Sequence, residues 1–294
     1  MPKFMRKNAY FFIYPMLIIA VIGIIKYLWI NFSSILLAFS VENEFGEQVY
    51  TISNFKRLFA EFTTPGSGIW KNLKNTFLFF TMYMIKTFAS FSVAYFLYKK
   101  VLGYKIFRIV FYLPCIVSPI IFVNVWKDML AGGGILNRLW LYGLGLDYVN
   151  PLTVTGKAIW VILIYSFWGG FGTSLLMFVG AMNRVPSEIV DAGQIDGCGM
   201  WREFFNIIVP LTWETLSTML LLTAMCIFTA TGPILYFTAG EKDTSTISFF
   251  LFYETYNGSY NYPTAVGMFF TLIALPIVAF GRWLMGKVNS DITY

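Results

Sequence analysis

The chain has 294 residues, of which 57% are hydrophobic, 20% aromatic and only 12% charged, with a formal net charge of +6 and no histidine. A soluble domain carries about a quarter charged residues, so a chain this poor in charge, built on repeated apolar runs of about 20 residues, takes lipid as its solvent. The missing histidine excludes a Ser-His-Asp triad, a histidine base and a His-ligated metal, and Cys115, Cys198 and Cys226 are too dispersed for a disulfide framework or a zinc site.

Six spanning helices are expected in chain order, over 10–37, 72–98, 106–126, 158–182, 207–231 and 263–285. The first follows Lys3, Arg6 and Lys7, but its apolar stretch is too long for a signal h-region and no small-x-small cleavage pattern follows promptly. It is therefore expected to stay in the mature protein. Lys and Arg are dense in the segments 1–9, 99–108, 184–202 and 282–287 and sparse in the longer segments between them. Positive charge marks the cytoplasmic side, so both termini are expected there. The organisation is then a cytoplasmic N-terminus (1–9), a first helix with an external segment (10–71), a core membrane domain (72–285) and a cytoplasmic tail (286–294). Lys26 and Lys86 fall inside spans, where a lysine costs about 2.5–3.5 kcal/mol at the membrane centre. Lys26 is near enough to an end to snorkel; for Lys86, structural pairing and a pathway role are both open.

Between the fourth and fifth spans lies "EIVDAGQIDGCGMWREFFNIIVP", residues 188–210, with four carboxylates, glycine breaks and a proline among otherwise greasy sequence. Pro186 suits a first helical turn, and Glu188 and Asp191 suit the positive end of a helix dipole. Gly197 and Gly199 should end that helix and a second should start at Trp201. Such a helix-turn-helix lies on the cytoplasmic face, its acidic side toward water or a partner.

This stretch closely resembles the EAA loop of ABC-importer permeases. Asp191-Ala192-Gly193 takes the place of Glu-Ala-Ala, and Gly197, Ile207 and Val209-Pro210 follow in register. Asp for Glu shortens the acid, and Gly193 for the second Ala weakens the helix by about 1 kcal/mol. The sequences "ISNFKRLF", "KNTFLFF", "FRIVFYLPCIVSPIIFVNVWKDML" and "SFWGGFGTSLLMFVGAMNRVPSEI" extend the resemblance to the carbohydrate branch, of maltose and glycerol-phosphate type. "FTAGE" stands where that branch has Leu-Thr-x-Gly-Gly-Pro, with Glu241 and Lys242 departing from it.

The resemblance implies an all-α integral membrane protein with the type I ABC importer permease fold, in a bacterial or archaeal cell membrane. It implies a second permease subunit, two cytoplasmic ATPases clamped on the loop 183–210, and an external binding protein that delivers an oligosaccharide. Glu188, Asp191, Ala192, Gly193, Asp196 and Gly197 would couple to the ATPase. The chain itself should hold no cofactor or metal and should not be an enzyme, ATP and Mg belonging to the partner. "GRWLMGKV" at 281–288 imitates a phosphate-binding loop, but Val288 replaces the metal-binding hydroxyl and no strand precedes it.

Buried polar groups in spans should face the pathway or another helix. Tyr165, Ser166, Trp168, Gly170 and Thr173 in the fourth helix, Thr223 and Thr229 in the fifth and Asn124 in the third are candidate solute contacts, and the resemblance places substrate contacts on the fourth and fifth. Helix–helix packing explains any one of them equally well. Three rivals stand beside a sugar permease: an ABC permease for another solute, an ion-coupled secondary transporter and a membrane enzyme. Glu214 is the only acid well inside a span, which disfavours ion coupling, and no acid–base pair can be assembled for catalysis.

Overall fold

The computed structural model describes residues 3–43, 47–139, 148–229 and 231–290. The expected tail beyond 290 and the stretch 140–147 lie outside them. The chain forms two compact units, one of residues 1–64 with 253–271 and the other of 65–252 with 272–294.

The first unit begins with α1 (Lys3–Ala38). From Met16 to Ala38 this helix is apolar and long enough to cross a membrane, and its most apolar 18 residues are not packed against protein; burial begins only at its end, at Ala38. A short antiparallel hairpin follows, β1 (Ser40–Glu42) with β2 (Gln48–Tyr50), in the register Ser40 opposite Tyr50. The buried Asn54 of α2 (Ser53–Thr63) donates to the carbonyls of Ala38 and Ser40 at 3.1 and 2.8 Å, tying α2 to the end of α1. Polar and apolar residues alternate at helical spacing in α2, so one face packs while the other carries the exposed Arg57–Glu61 pair. The Arg57 guanidinium lies 4.0 Å from the centre of the Tyr262 ring, and Phe59 meets Phe269 edge to face.

The second unit starts with α3 (Gly68–Tyr98), followed by α4 (Tyr104–Ile116), α5 (Pro119–Leu130) and α6 (Ile135–Arg138). Then come α7 (Ala158–Gly169), α8 (Phe171–Met182), α9 (Ser187–Ile195) and α10 (Met200–Glu203). A π-helical turn, Phe204–Ile208, leads into α11 (Val209–Leu211), α12 (Trp213–Met225) and α13 (Gly232–Phe237). The chain continues with α14 (Ile247–Tyr256) and α15 (Asn261–Ser290), which cross the boundary between the units.

Within this unit α3 is the central post, packing against α7, α8 and α12. Two apolar clusters flank the helix break at Gly170. One joins Phe91, Tyr95, Phe171, Leu175, Phe178, Phe204 and Ile208. The other joins Phe79, Phe122, Ile162, Tyr165, Ile234 and Phe237.

Four stretches can cross a membrane by length and composition: Met16–Ala38, Gly68–Tyr98, Ala158–Met182 and Asn261–Lys287. The third and fifth expected spans are not single rods. The third breaks between α4 and α5, where the path bends by 111° between Tyr104–Ile116 and Pro119–Arg138. The cause is local: Pro119 forces the preceding Ser118 out of the helical region, to φ −56° and ψ 133°. The fifth bends by 75° between Met200–Leu211 and Trp213–Met225. Its helix ends at Met225, short of the expected 231.

Candidate functional site

The loop 183–210 folds as a helix, a glycine turn and a second helix. At the end of α9, Gly197 has φ +79°, a left-handed conformation that only glycine adopts without strain. The Cys198 N–H donates to the Gly193 carbonyl at 2.9 Å, and the Gly197 N–H to that of Gln194 at 3.1 Å. These are the two bonds of a Schellman cap, which satisfies carbonyls that the helix end would otherwise orphan. Gly193 is buried where the second helix returns: a Cβ there would stand 2.5 Å from Ile207 Cδ1. The glycine that costs helix propensity therefore makes room for packing.

Glu188, Asp191, Ala192, Asp196 and Gly197 are exposed, so the acidic face is free. Beside it stand Ile195 and the stacked pair Trp201 and Phe205, which are 86%, 66% and 60% exposed. A water-facing loop that combines carboxylates with uncovered aromatic rings has the composition of a docking surface.

Glu203 behaves differently from the other three acids. It is 2% exposed and turns inward to α3, where Lys99 Nζ lies 2.6 Å from its Oε1. The Tyr95 hydroxyl sits 3.2 Å from the same oxygen and 3.1 Å from the Met200 carbonyl, and Gln194 Nε2 donates to Oε2 at 3.5 Å. One carboxylate thus joins α3, α9 and α10. The loop is thereby tied to α3 by side-chain contacts and not only by the connecting chain. Its partners are about a hundred residues away in sequence, so local reading misses it. The available signal was an acid inside the apolar run "WREFF".

A second feature lies at the break between α7 and α8. A cavity of about 260 Å³ is lined by Tyr83 and Lys86 of α3, Pro114 of α4, Pro119 and Phe122 of α5, Tyr165, Ser166, Gly169 and Gly170 at the break, and Pro233 of α13. Helix breaks gather here because a chain that leaves the helical path opens space and frees backbone polar groups. Gly170 permits the close approach of Lys86, since a Cβ there would lie 2.6 Å from Nζ.

Of the eight sequence-predicted solute contacts, Tyr165, Ser166 and Gly170 line this cavity. Trp168 stands behind it. Its ring packs on Phe122 at 5.2 Å, and its Nε1 donates to the Val110 carbonyl at 3.2 Å. Thr173 pairs with the Cys115 thiol at 3.6 Å and Thr223 with Thr87 at 3.1 Å, both helix–helix contacts. Thr229 closes its own turn by donating to Cys226. Asn124 is exposed on α5, among Ile120, Ile121 and Val125 and off the face that carries Phe122. Tyr83 and Lys86 were not among the expected contacts, although Lys86 stood out as a lysine inside a span.

Comparison with known proteins identifies this architecture. The family described as "Binding-protein-dependent transport system inner membrane component" matches residues 70–294. The probable ABC transporter permease protein YesP of Bacillus subtilis (strain 168) is 28% identical over 217 residues, covering 70% of this chain and 67% of that protein. The sn-glycerol-3-phosphate transport system permease protein UgpA of Escherichia coli O6:K15:H31 is 26% identical over 297 residues, 97% of this chain and 96% of its own. Among solved structures, a chain of a bacterial ABC transporter involved in import of the acidic polysaccharide alginate superposes with a TM-score of 0.79 at 19% identity, over 97% of this chain and 99% of that one. The same transporter in complex with its alginate pentasaccharide-bound periplasmic protein gives 0.79 over 98% and 99%. With three quarters of its length inside the family match, this chain belongs to the inner membrane components of binding-protein-dependent transport systems.

Proposed function

We propose that this chain is a permease subunit of an ATP-driven importer in a bacterial cell membrane, passing a carbohydrate delivered from outside by a binding protein. On this reading the four single spans and the two bent pairs make six crossings, and both termini are cytoplasmic. The loop 183–210 docks on a separate ATPase, which binds the ATP and Mg, and a second permease subunit completes the pathway. The chain translocates and does not catalyse.

The observation that carries this reading is the geometry of the loop. Its exposed face joins Asp191 and Asp196 to Trp201 and Phe205, while its inner face is clamped to α3 through Glu203. A lever needs both a handle and a rigid attachment. The carbohydrate assignment draws on the alginate importer and the glycerol-phosphate permease as relatives; the latter keeps a phosphorylated non-sugar solute as the alternative.

Uptake into proteoliposomes that hold the full complex tests the function. Accumulation should need ATP and the binding protein, and should survive ionophores that collapse ion gradients. Asp191→Lys should still insert but lose the ATPase in pull-down, because reversing one charge of a docked pair costs several kcal/mol. Uptake that follows an ion gradient without ATP would refute the importer, and wild-type transport by Asp191→Lys would remove the loop from coupling.

A further inference from the structure

Lys86 is the one charged side chain among the residues lining the 260 Å³ cavity. No carboxylate of the described residues forms an ion pair with it. Its ammonium lies 4.9 Å from the centre of the Tyr83 ring and packs against Gly170. Helix breaks and a ring face surround the charge, and neither neutralises it. Mid-span charges in membrane proteins are paired or mark the path of a charged cargo. A pathway for neutral sugars needs aromatic faces and hydroxyls, which Tyr83, Tyr165 and Ser166 supply without a lysine. A full positive charge beside them adds recognition of negative charge.

We propose that Lys86 is an anion-recognition point and that the transported saccharide is acidic, carrying a carboxylate or a phosphate that passes Lys86 while its ring meets Tyr83 and Tyr165. This rests on the carbohydrate-importer reading. Gly170 has a part in it: any larger residue would push the ammonium aside.

Two measurements test the proposal. The first needs neither substrate nor binding protein. In the assembled complex with Cys198 and Cys226 changed to serine, Cys115 is modified by two thiosulfonate reagents of similar size, one bearing a sulfonate and one a trimethylammonium group. The rate ratio should favour the anionic reagent and fall by about tenfold in Lys86→Met, because Lys86 and Cys115 border the same short stretch, Gly169–Gly172, and a unit charge acts strongly in a partly dry site. Lys86→Arg should keep the ratio. An unchanged ratio in Lys86→Met overturns the anion site.

The second measurement is ATP-driven uptake of a uronate trisaccharide, glucose 6-phosphate and a neutral glucose trisaccharide. Wild type should take up one of the acidic probes and exclude the neutral one; which acidic probe enters distinguishes carboxylate from phosphate. Arginine at 86 should preserve uptake and methionine should abolish it. Equal uptake of the neutral sugar, indifferent to Lys86→Met, would leave the importer standing and overturn the acidic substrate. Uptake of none of the three would overturn the acidic saccharide and leave the importer with the phosphorylated non-sugar solute as its cargo.

Discussion

Two lysines, Lys86 within α3 and Lys99 capping its C-terminal end, lie thirteen residues apart, about 20 Å along the axis, and meet opposite surroundings. Lys99 reaches a carboxylate at 2.6 Å, which in turn has Tyr95 and Gln194 beside it. Lys86 lines a cavity and has a ring and a glycine for company. The same side chain is thus a structural clasp at the end of the helix and an unmet charge near its middle. Charge alone does not tell a structural lysine from a functional one; the presence of a counter-charge does.

The sharpest way to break this comparison is to neutralise each lysine in turn. Lys99→Met strands Glu203 in a buried site, and breaking such a pair costs about 3–5 kcal/mol when it is fully buried. Because the Lys99 side chain retains 21% exposure, a loss of about 1–3 kcal/mol is expected, read as earlier thermal unfolding of the purified complex. Lys86→Met removes a charge with no partner, so unfolding should come later, not earlier. Matching losses in the two variants would show that Lys86 is paired too. Replacing Glu203 and Lys99 together by methionine should recover most of the stability lost by Lys99→Met alone, since no orphaned charge remains.

A smaller effect is expected at the turn between α9 and α10, which carries the proposed docking loop. Gly197→Leu forces a branched side chain into left-handed backbone, which costs about 1–2 kcal/mol. Coupling, measured as binding-protein-stimulated ATP hydrolysis, should fall further than stability does, because the acidic face of α9 loses its fixed angle to α10. If hydrolysis and unfolding shift only in proportion, the turn merely holds the fold.

The smallest effect belongs to Gly193→Ala. The new methyl gains about 1 kcal/mol of helix propensity but collides with Ile207 Cδ1, so the net change in unfolding should be below about 1 kcal/mol. Adding Ile207→Val deletes the colliding atom and should make the double variant more stable than the parent. A double variant no better than Gly193→Ala would mean that the crowding lies elsewhere.

How much could be read in advance follows from how local each feature is. The loop was legible because its helix, cap and turn depend on neighbours within six residues: Gly197 announces the turn, and Pro186 marks the start, although it stands at the N-cap just before the helix and not in its first turn. The node at Glu203 was not, because Lys99 and Tyr95 come from a distant segment. The cavity drew Tyr165, Ser166 and Gly170 from one legible helix, but Tyr83 and Lys86 come from another. Thr173 and Thr223 show the converse: polar groups in a span had two fates open to them, and these two bond to other helices. The straight third span was an over-reading of hydrophobicity. Ser118-Pro119 carried the contrary signal, since a proline constrains the residue before it whatever the surrounding apolar content.

The break at Ser118 also bears on how the chain is made. α4 has 13 residues and α5 has 12, and a helix needs about 20 to cross a bilayer alone. Neither half can therefore leave the translocon for lipid as an independent unit. Each needs partners for the backbone groups freed at the kink, and α8 beside α4 and α13 beside α5 are the packing surfaces it finds. Both are synthesised later. α4 also touches α3, made before it, but the larger part of its packing comes from chain made afterwards, so truncation before α8 should leave the pair incompletely packed and exposed to membrane quality control.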